Sequence, residues 1–275
     1  MTLKSHDPAH VRSVVLAGHA GGGKTTMAEQ LLFRAGAIPR LGRVDDGTAH
    51  LDYEPEEQKQ RRSLSLAVGT FEHGEHEITV VDTPGYPDFI AEMIQGFHAA
   101  DAALFVVDAS EGVTHQDQRL AERVDAAGTA IVIVLNKWDL LDAEGRAQAK
   151  IDVADRLAFL SYAPVLTVSA LTGKLVQRVL PALRQAEEAY HTRVPTAALN
   201  RVIREAQQAH PPPAARKHRP RVLYATQGAA DPPTFTLFAT HELPPTYLRY
   251  LERKIRESFD LGPTPIKLRV RRRNG

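Results

Sequence analysis

Gly18-His19-Ala20-Gly21-Gly22-Gly23-Lys24-Thr25 is the stretch whose reading decides the fold. It follows an apolar run, Val14 to Ala17, and leads into a helical pattern, Met27 to Phe33. Strand, glycine-rich turn and helix in that order give the pattern G-x-x-x-x-G-K-[ST] the setting of a phosphate site. Glycine opens backbone φ angles closed to other residues. That freedom is assigned here to Gly18, Gly21, Gly22 and Gly23, so that successive N–H groups converge on an anion at a helix N-terminus. Lys24 then reaches the β- and γ-phosphates, and the Thr25 hydroxyl ligates Mg²⁺. Together with His19, Ala20 and Thr26, these residues are expected to bind a nucleoside triphosphate.

Downstream, residues 37–62 show no hydrophobic periodicity and contain Asp45-Asp46-Gly47 and Glu54-Pro55-Glu56-Glu57. So long a polar segment inside a compact domain fits a mobile switch loop. Two strand patterns, Leu64 to Phe71 and Ile78 to Asp82, flank a hairpin turn at Glu72–Glu75. A helical pattern then runs to about Ala100. Strands at Ala103–Val107, Ile131–Leu135 and Val165–Val168 alternate with helices at His115–Ala127, Ala143–Leu160 and Lys174–His191. Pro181 is expected to bend the last of these. Such alternation predicts an α/β domain: a mostly parallel sheet with helices on both faces and one antiparallel strand from the hairpin. Beyond Arg193 the order changes to helix Thr196–Gln208, strands Val222–Thr226 and Phe235–Thr240, helix Tyr247–Phe259 and strand Ile266–Val270. The expected domains are therefore 1–193 and a small α+β unit, 194–275.

The 275 residues carry 43% apolar and 24% charged side chains, ordinary for a globular protein. There is no cysteine, which excludes disulfides and thiolate metal sites. The polar N-terminus and the lack of a long apolar run predict a cytoplasmic protein with no membrane partner. Net charge is +1, but residues 201–275 alone carry 15 Lys/Arg against 6 Asp/Glu. A basic tail on an acidic body points to nucleic acid, to an acidic partner, or to docking of one half on the other.

Asp82 closes a strand and opens Asp82-Thr83-Pro84-Gly85, where the carboxylate can hold Mg²⁺ and the Gly85 N–H can meet a γ-phosphate. Asn136-Lys137-Trp138-Asp139 follows an apolar strand. Asp139 there can accept from both N1–H and the 2-amino group of guanine, a donor pair that adenine lacks. Asn136 would brace the loops, and the Lys137 stem would cover the base. Ser169, Ala170 and Leu171 end the next strand, where backbone N–H groups can hold the guanine O6. The expected ligands are GTP and GDP. Twelve histidines show no ligand spacing, so no metal beyond Mg²⁺ is expected.

These residues carry a resemblance in two pieces. From Val11 to about His98, GHAGGGKTT, DYEPEEQKQRRSLSL and DTPGYPDF resemble the GTP-binding domain of the elongation factor EF-G and its relatives. From about Asp101, DASEGVTHQDQR, NKWDLL, FLSYAPVLTVSALTG, PPTFTLF and LGPTPIKLRVRRRN resemble the second GTPase domain and KH-like domain of the ribosome-assembly GTPase Der, also called EngA. The resemblance implies that Ser63, with Ser65 as the alternative, is the switch residue that ligates Mg²⁺ alongside Thr25 and Asp82. It implies a catalytic set of Lys24, Gly85 and Tyr86. EF-G carries histidine directly after DTPG, whereas this chain carries Tyr86, so slow hydrolysis is expected.

The resemblance implies a Mg²⁺-dependent GTPase that acts on the ribosome, in assembly of the large subunit, with ribosomal RNA as partner. The other readings are a translation-factor-like ribosomal GTPase and a GTP-binding interaction module with little turnover. No G-x-x-G loop occurs in the tail, so RNA clamping in the manner of KH domains is not expected. Arg271-Arg272-Arg273 either grips phosphates or is a solvated end.

Overall fold

The computed structural model describes residues 10–61, 63–85, 100–214 and 219–273. It divides into two compact units, residues 1–184 and 185–275. The first holds strands β1 (Val11–Ala17), β2 (Ala67–His73), β3 (His76–Asp82), β4 (Ala102–Asp108), β5 (Ala130–Asn136) and β6 (Val165–Thr167). Their order across the sheet is β2-β3-β1-β4-β5-β6. β2 runs antiparallel to β3, and every other pairing is parallel. This is the expected α/β sheet with one antiparallel hairpin strand.

Burial explains the sequence of each strand. All seven residues of β4 and of β5 are buried, and the first six of each form an unbroken apolar run, as strands covered on two faces do, before the polar Asp108 and Asn136. β2 at the sheet edge alternates more nearly between inside and outside. The main core gathers Phe105, Ile131, Ile133 and Leu135 against Leu120, Val124 and Leu160. Truncating so fully buried a ring as Phe105 to alanine costs about 3 to 5 kcal/mol.

The helices begin where caps allow. In α1 (Lys24–Arg34), the N-cap Gly23 has φ 87°, with no side-chain cap. α2 (Pro55–Gln60) starts with a capping box between Glu54 and Glu57. α3 (His115–Ala127) starts with another between Thr114 and Asp117 and ends at Gly128 in the left-handed region. The Asp142 carboxylate accepts the Gly145 N–H at 2.8 Å to begin α4 (Ala143–Arg156). α5 (Val179–Tyr190) crosses from the first unit into the second.

Two expectations need correction. The segment 37–62 is not wholly irregular, because α2 lies within it. Its six residues include no apolar side chain, so periodicity could not reveal it. Pro181 does not bend a long helix: the helix starts at Val179, and a proline in the first turn removes an N–H that has no helical acceptor. The helical pattern expected up to Ala100 falls on 86–99, outside the described residues.

The second unit contains α6 (Thr196–Ala209), β7 (Val222–Ala229), β8 (Thr234–Ala239), α7 (Pro245–Phe259) and β9 (Lys267–Arg272). Its sheet has the order β7-β8-β9, with β7 antiparallel and β9 parallel to β8. Leu199 and Ile203 of α6 and Leu251 and Ile255 of α7 pack with Phe235 and Leu237 of β8. The expected α-β-β-α-β order is present.

Candidate functional site

Parallel strands carry their following loops to one edge of the sheet, and there the motifs meet. The glycine-rich loop follows β1, Asp82-Thr83-Pro84-Gly85 closes β3, Asn136–Asp139 follows β5, and Ser169–Leu171 follows β6. They surround a cavity of about 350 Å³. Ala20, Gly21, Gly23, Lys24, Thr25 and Thr26 line it from the glycine-rich loop. Of the other expected residues, Ser63, Gly85, Asn136, Lys137, Asp139, Ser169 and Leu171 stand at its wall, and Arg61, Thr83 and Leu140 join them. Gly18, His19, Gly22, Asp82 and Ala170 are not part of the lining.

The glycine-rich loop is held by close approach as much as by φ. Gly18 has φ 144°, and a Cβ there would lie 2.1 Å from the Val106 carbonyl oxygen. Gly22 departs from the sequence reading. It is not among the glycines with positive φ, and a Cβ at this position would lie 3.3 and 3.4 Å from the Val106 and His19 carbonyl oxygens, a close fit without a severe clash. Lys24 is buried, and its Nζ donates to the His19 carbonyl at 2.9 Å. Burial holds the Lys24 pKa below that of a free amine, against the pull of Asp82 and Asp117. A Cβ on Gly85 would fall 2.4 Å from the Ala20 nitrogen and 2.5 Å from Lys24 Nζ, so only glycine lets the two loops touch.

Thr25, Ser63 and Asp82 converge as expected of a cation site. Thr25 Oγ1 donates to Asp82 Oδ2 at 2.5 Å and lies 2.9 Å from Ser63 Oγ, which in turn donates to Asp52 Oδ1 at 2.8 Å. Ser65 points elsewhere, its hydroxyl donating to Glu57 Oε1 at 3.0 Å. Asp82 Oδ1 and Asp52 Oδ2 are buried with no hydrogen-bond partner among the described residues. Burial pushes the Asp82 carboxyl up to about 6 despite Lys24 and Thr25, and burial also raises Asp52. Hydroxyl and carboxylate oxygens with unsatisfied lone pairs suit a small, hard cation, whose charge would stabilise the ionised carboxylates.

At the other end, Asn136 ties two loops together. Its Nδ2 donates to the Gly22 carbonyl and its Oδ1 accepts the Ala170 N–H, both at 2.9 Å. Lys137 adopts φ 58° and pairs through Nζ with Asp108 Oδ2 at 2.5 Å. Burial opposes ionisation of Asp108, but the bonds from Lys137 and Ser110 prevail and hold its pKa below the usual range. Asp139 is exposed at the cavity wall, in a 3-10 turn spanning Trp138–Leu140. The next helix takes Asp142 as its cap, which leaves the Asp139 carboxylate out of capping. The Ser169 N–H donates to the Lys174 carbonyl at 3.0 Å, so that group and the Ala170 N–H already serve the protein. Tyr86 lies outside the described residues.

The sequence reading placed His19 in the glycine-rich loop but not its partners: it is buried, its Nδ1 2.7 Å from Asp117 Oδ1 and its Nε2 3.4 Å from Glu111. The bond to Asp117 raises the His19 pKa, against the opposing effect of burial. Several other groups at the site escaped the sequence reading. Gln116 Nε2 donates to the Gly85 carbonyl at 3.0 Å, so the start of α3 contacts both phosphate-side loops. Glu29, fully buried on α1, accepts N–H bonds from Gly42, His50 and Leu51. Glu57 accepts from the Leu64 and Ser65 nitrogens at 2.8 and 3.0 Å. Arg61 lines the cavity from a left-handed conformation, φ 53°. Apart from His19, which sits in the glycine-rich motif, no local motif marks these residues; the capping boxes are the one signal that could have singled out Glu57 and Asp117.

Comparison with known proteins agrees with this geometry. Residues 9–189 match the elongation factor Tu GTP binding domain, and residues 193–271 match the KH-domain-like, C-terminal domain of EngA bacterial GTPase enzymes. GTPase Der of Mycolicibacterium vanbaalenii is 45% identical over 173 residues, covering 63% of this chain and 37% of that protein. GTPase Der of Desulforamulus reducens is 39% identical over 199 residues, covering 71% and 45%. The chain thus spans less than half the length of these curated relatives. In fold it resembles a bacterial selenocysteine-specific elongation factor, EF-Sec, at TM-score 0.53 and 23% identity, over 69% of this chain and 30% of that one. It also resembles Aquifex aeolicus Era, at TM-score 0.51 and 18% identity, over 95% and 92%. With a matching family over most of its length and the motifs of that family around one cavity, the chain belongs to the family of the elongation factor Tu GTP binding domain.

Proposed function

We propose that this chain binds GTP with Mg²⁺, hydrolyses it to GDP and phosphate, and acts in the cytoplasm on the ribosome during assembly of the large subunit. The observation that carries the nucleotide reading is the pair Asn136 and Asp139. One is locked between the glycine-rich loop and the Ala170 loop, and the other stands uncommitted to any cap at the cavity wall. The phosphates lie along the Gly18–Thr26 loop, with Lys24 on the β- and γ-phosphates and the Gly85 N–H at the γ-phosphate. Thr25, Ser63 and Asp82 would hold Mg²⁺, which would supply charge neutralisation at the phosphates. Asp139 accepts from guanine while the Lys137 stem covers the base. The Leu171 N–H, with a shared bond from Ala170, meets O6.

The ribosomal role is supported by the Der relatives and by the EngA-type match over 193–271. The basic second unit, 194–275, is the part we assign to ribosomal RNA, and 1–193 is the nucleotide-binding part. Tyr86 after Gly85 favours a second reading, a GTP-bound interaction module with slow turnover, because a phenol near pKa 10 is a poor base near neutrality.

Replacing Asp139 with asparagine tests the nucleotide reading. It should weaken GTP by about 1.5 to 3 kcal/mol, roughly 10- to 150-fold, and favour xanthine nucleotides, whose 2-position carries an oxygen. Unchanged GTP affinity in Asp139→Asn would refute it. Co-sedimentation with isolated large subunits, compared with intact ribosomes in GDP and in a non-hydrolysable GTP analogue, separates the assembly role from a translation-factor role.

A further inference from the structure

The sheet of the second unit has two unlike faces. Ala225, Phe235, Leu237 and Ala239 point into the core, and Leu268 and Val270 of β9 pack against it. Side chains alternate along a strand, so their neighbours stand on the opposite face. The strand register places these neighbours in two rows, Tyr224–Phe238–Arg271 and Thr226–Thr236–Arg269. Arg269 and Arg271 are exposed, and neither row contains an acidic residue.

Within the first row the rings of Tyr224 and Phe238 stack, with centroids 4.3 Å apart and planes 13° from parallel. The Arg273 guanidinium lies 5.5 Å from the Tyr224 ring centre and donates to its hydroxyl at 2.6 Å. Because Tyr224 is on β7 and Arg271 on β9, the Phe238 ring turns its second face towards the Arg271 side. Two stacked rings, a guanidinium at the hydroxyl edge of Tyr224 and Arg271 in register beside Phe238 thus share one face of the sheet. Aromatic faces beside arginines recognise nucleobases and phosphates together, whatever the base sequence.

We infer that this outer sheet face binds single-stranded RNA, with a base stacked on Phe238 next to Arg271 and backbone phosphates paired with Arg269 and Arg271. The inference deepens the ribosomal reading above and rests on it for its setting. Charge complementarity selects the occupant: residues 201–275 carry 15 Lys/Arg against 6 Asp/Glu. The rings select a partner with flat π-faces over a merely acidic one. The unit lacks a G-x-x-G loop, so the face replaces a loop clamp instead of adding to one.

The test uses the full chain and a fluorescein-labelled 12-nucleotide single-stranded RNA, with anisotropy read between 50 and 300 mM salt. Each lost phosphate contact reduces the log–log salt slope by about 0.7, so Arg269→Gln with Arg271→Gln should flatten it by about 1.4. Phe238→Leu, on the solvent face, should weaken binding about 10-fold at fixed salt with the slope unchanged, and Phe238→Trp should restore it. Circular dichroism confirms that each variant is folded. Wild-type affinity and slope in both variants would overturn the inference. Loss in the arginine variant with Phe238→Leu neutral would also overturn it, since that pattern marks a generic acidic partner. Large subunits bound equally by wild type and both variants would refute this face and leave the ribosomal reading standing. A wild type that binds neither RNA nor subunits would refute both.

Discussion

Replacing Glu29 with glutamine should loosen the segment that follows α1 while sparing the sheet. Glu29 Oε1 accepts the His50 and Leu51 N–H groups at 2.6 and 3.1 Å, and Oε2 accepts the Gly42 N–H at 3.0 Å and faces His50 Nδ1 at 3.0 Å. An amide offers one oxygen, so its NH₂ must face one of these two donor sets. Turned towards Oε1's partners, it meets two backbone N–H groups. Turned the other way, it meets Gly42 N–H and a ring nitrogen that can change tautomer and accept. The second orientation costs less, yet it still leaves one buried N–H unsatisfied, about 1 to 3 kcal/mol. The remaining bonds fall from charge-assisted to neutral strength, roughly half. The sum is about 2 to 4 kcal/mol for opening residues 42–51, or roughly 30- to 700-fold faster amide exchange in Glu29→Gln. Hydrogen exchange read by mass spectrometry measures this peptide by peptide, with α3 as the unchanged control. Acceleration of less than about threefold over 42–51 would refute the claim that Glu29 holds the segment.

Two further outcomes follow from the site. The raised pKa of His19 and the lowered pKa of Asp117 mean that their pair stabilises the fold most between about pH 4 and 6.5, where both are charged in either state. That contribution falls as pH rises through the folded pKa of His19, so the stability gap between wild type and His19→Asn, read by denaturant midpoint, should shrink from pH 6 to pH 9; a gap that widens would contradict the assignment. Asn136→Ala leaves the Gly22 carbonyl and the Ala170 N–H unpaired at a buried point, at about 2 to 4 kcal/mol, and should lower both thermal stability and GTP affinity. Loss of stability with unaltered nucleotide affinity would show that the bridge does not shape the site.

Much of this architecture was legible from residue order, for identifiable reasons. β4 and β5 are buried on both faces, so each is apolar up to its last residue, Asp108 or Asn136, and α3 carries its cap and its C-terminal glycine in plain view. The phosphate and base motifs are legible because each works through a loop at the end of its own strand, where spacing along the chain mirrors position in space. Glu29, Asp52, Asp108 and Arg61 were not legible, because each acts on a partner brought near by folding. Glu29 looks like a surface residue in the pattern of α1, and only the return of residues 42–51 buries it. Gly22 was misread for a related reason: chain pattern signals a glycine but cannot say whether its φ is positive.

The strand order divides the sheet by position along the chain. Residues before about 100 supply β1, β2 and β3 and those after supply β4, β5 and β6, yet β1 lies between β3 and β4 in space. Each stretch of chain therefore supplies three adjacent strands, β2-β3-β1 and β4-β5-β6, and the seam runs straight down the middle of the sheet. Along it, β1 and β4 align only from Val14–Ala102 to Ala17–Phe105. The glycine-rich loop and Asp82–Gly85 lie on the first stretch, and Asn136–Asp139 and Ser169–Leu171 on the second. His19–Asp117, Gly85–Gln116 and Gly22–Asn136 are stitches across the join.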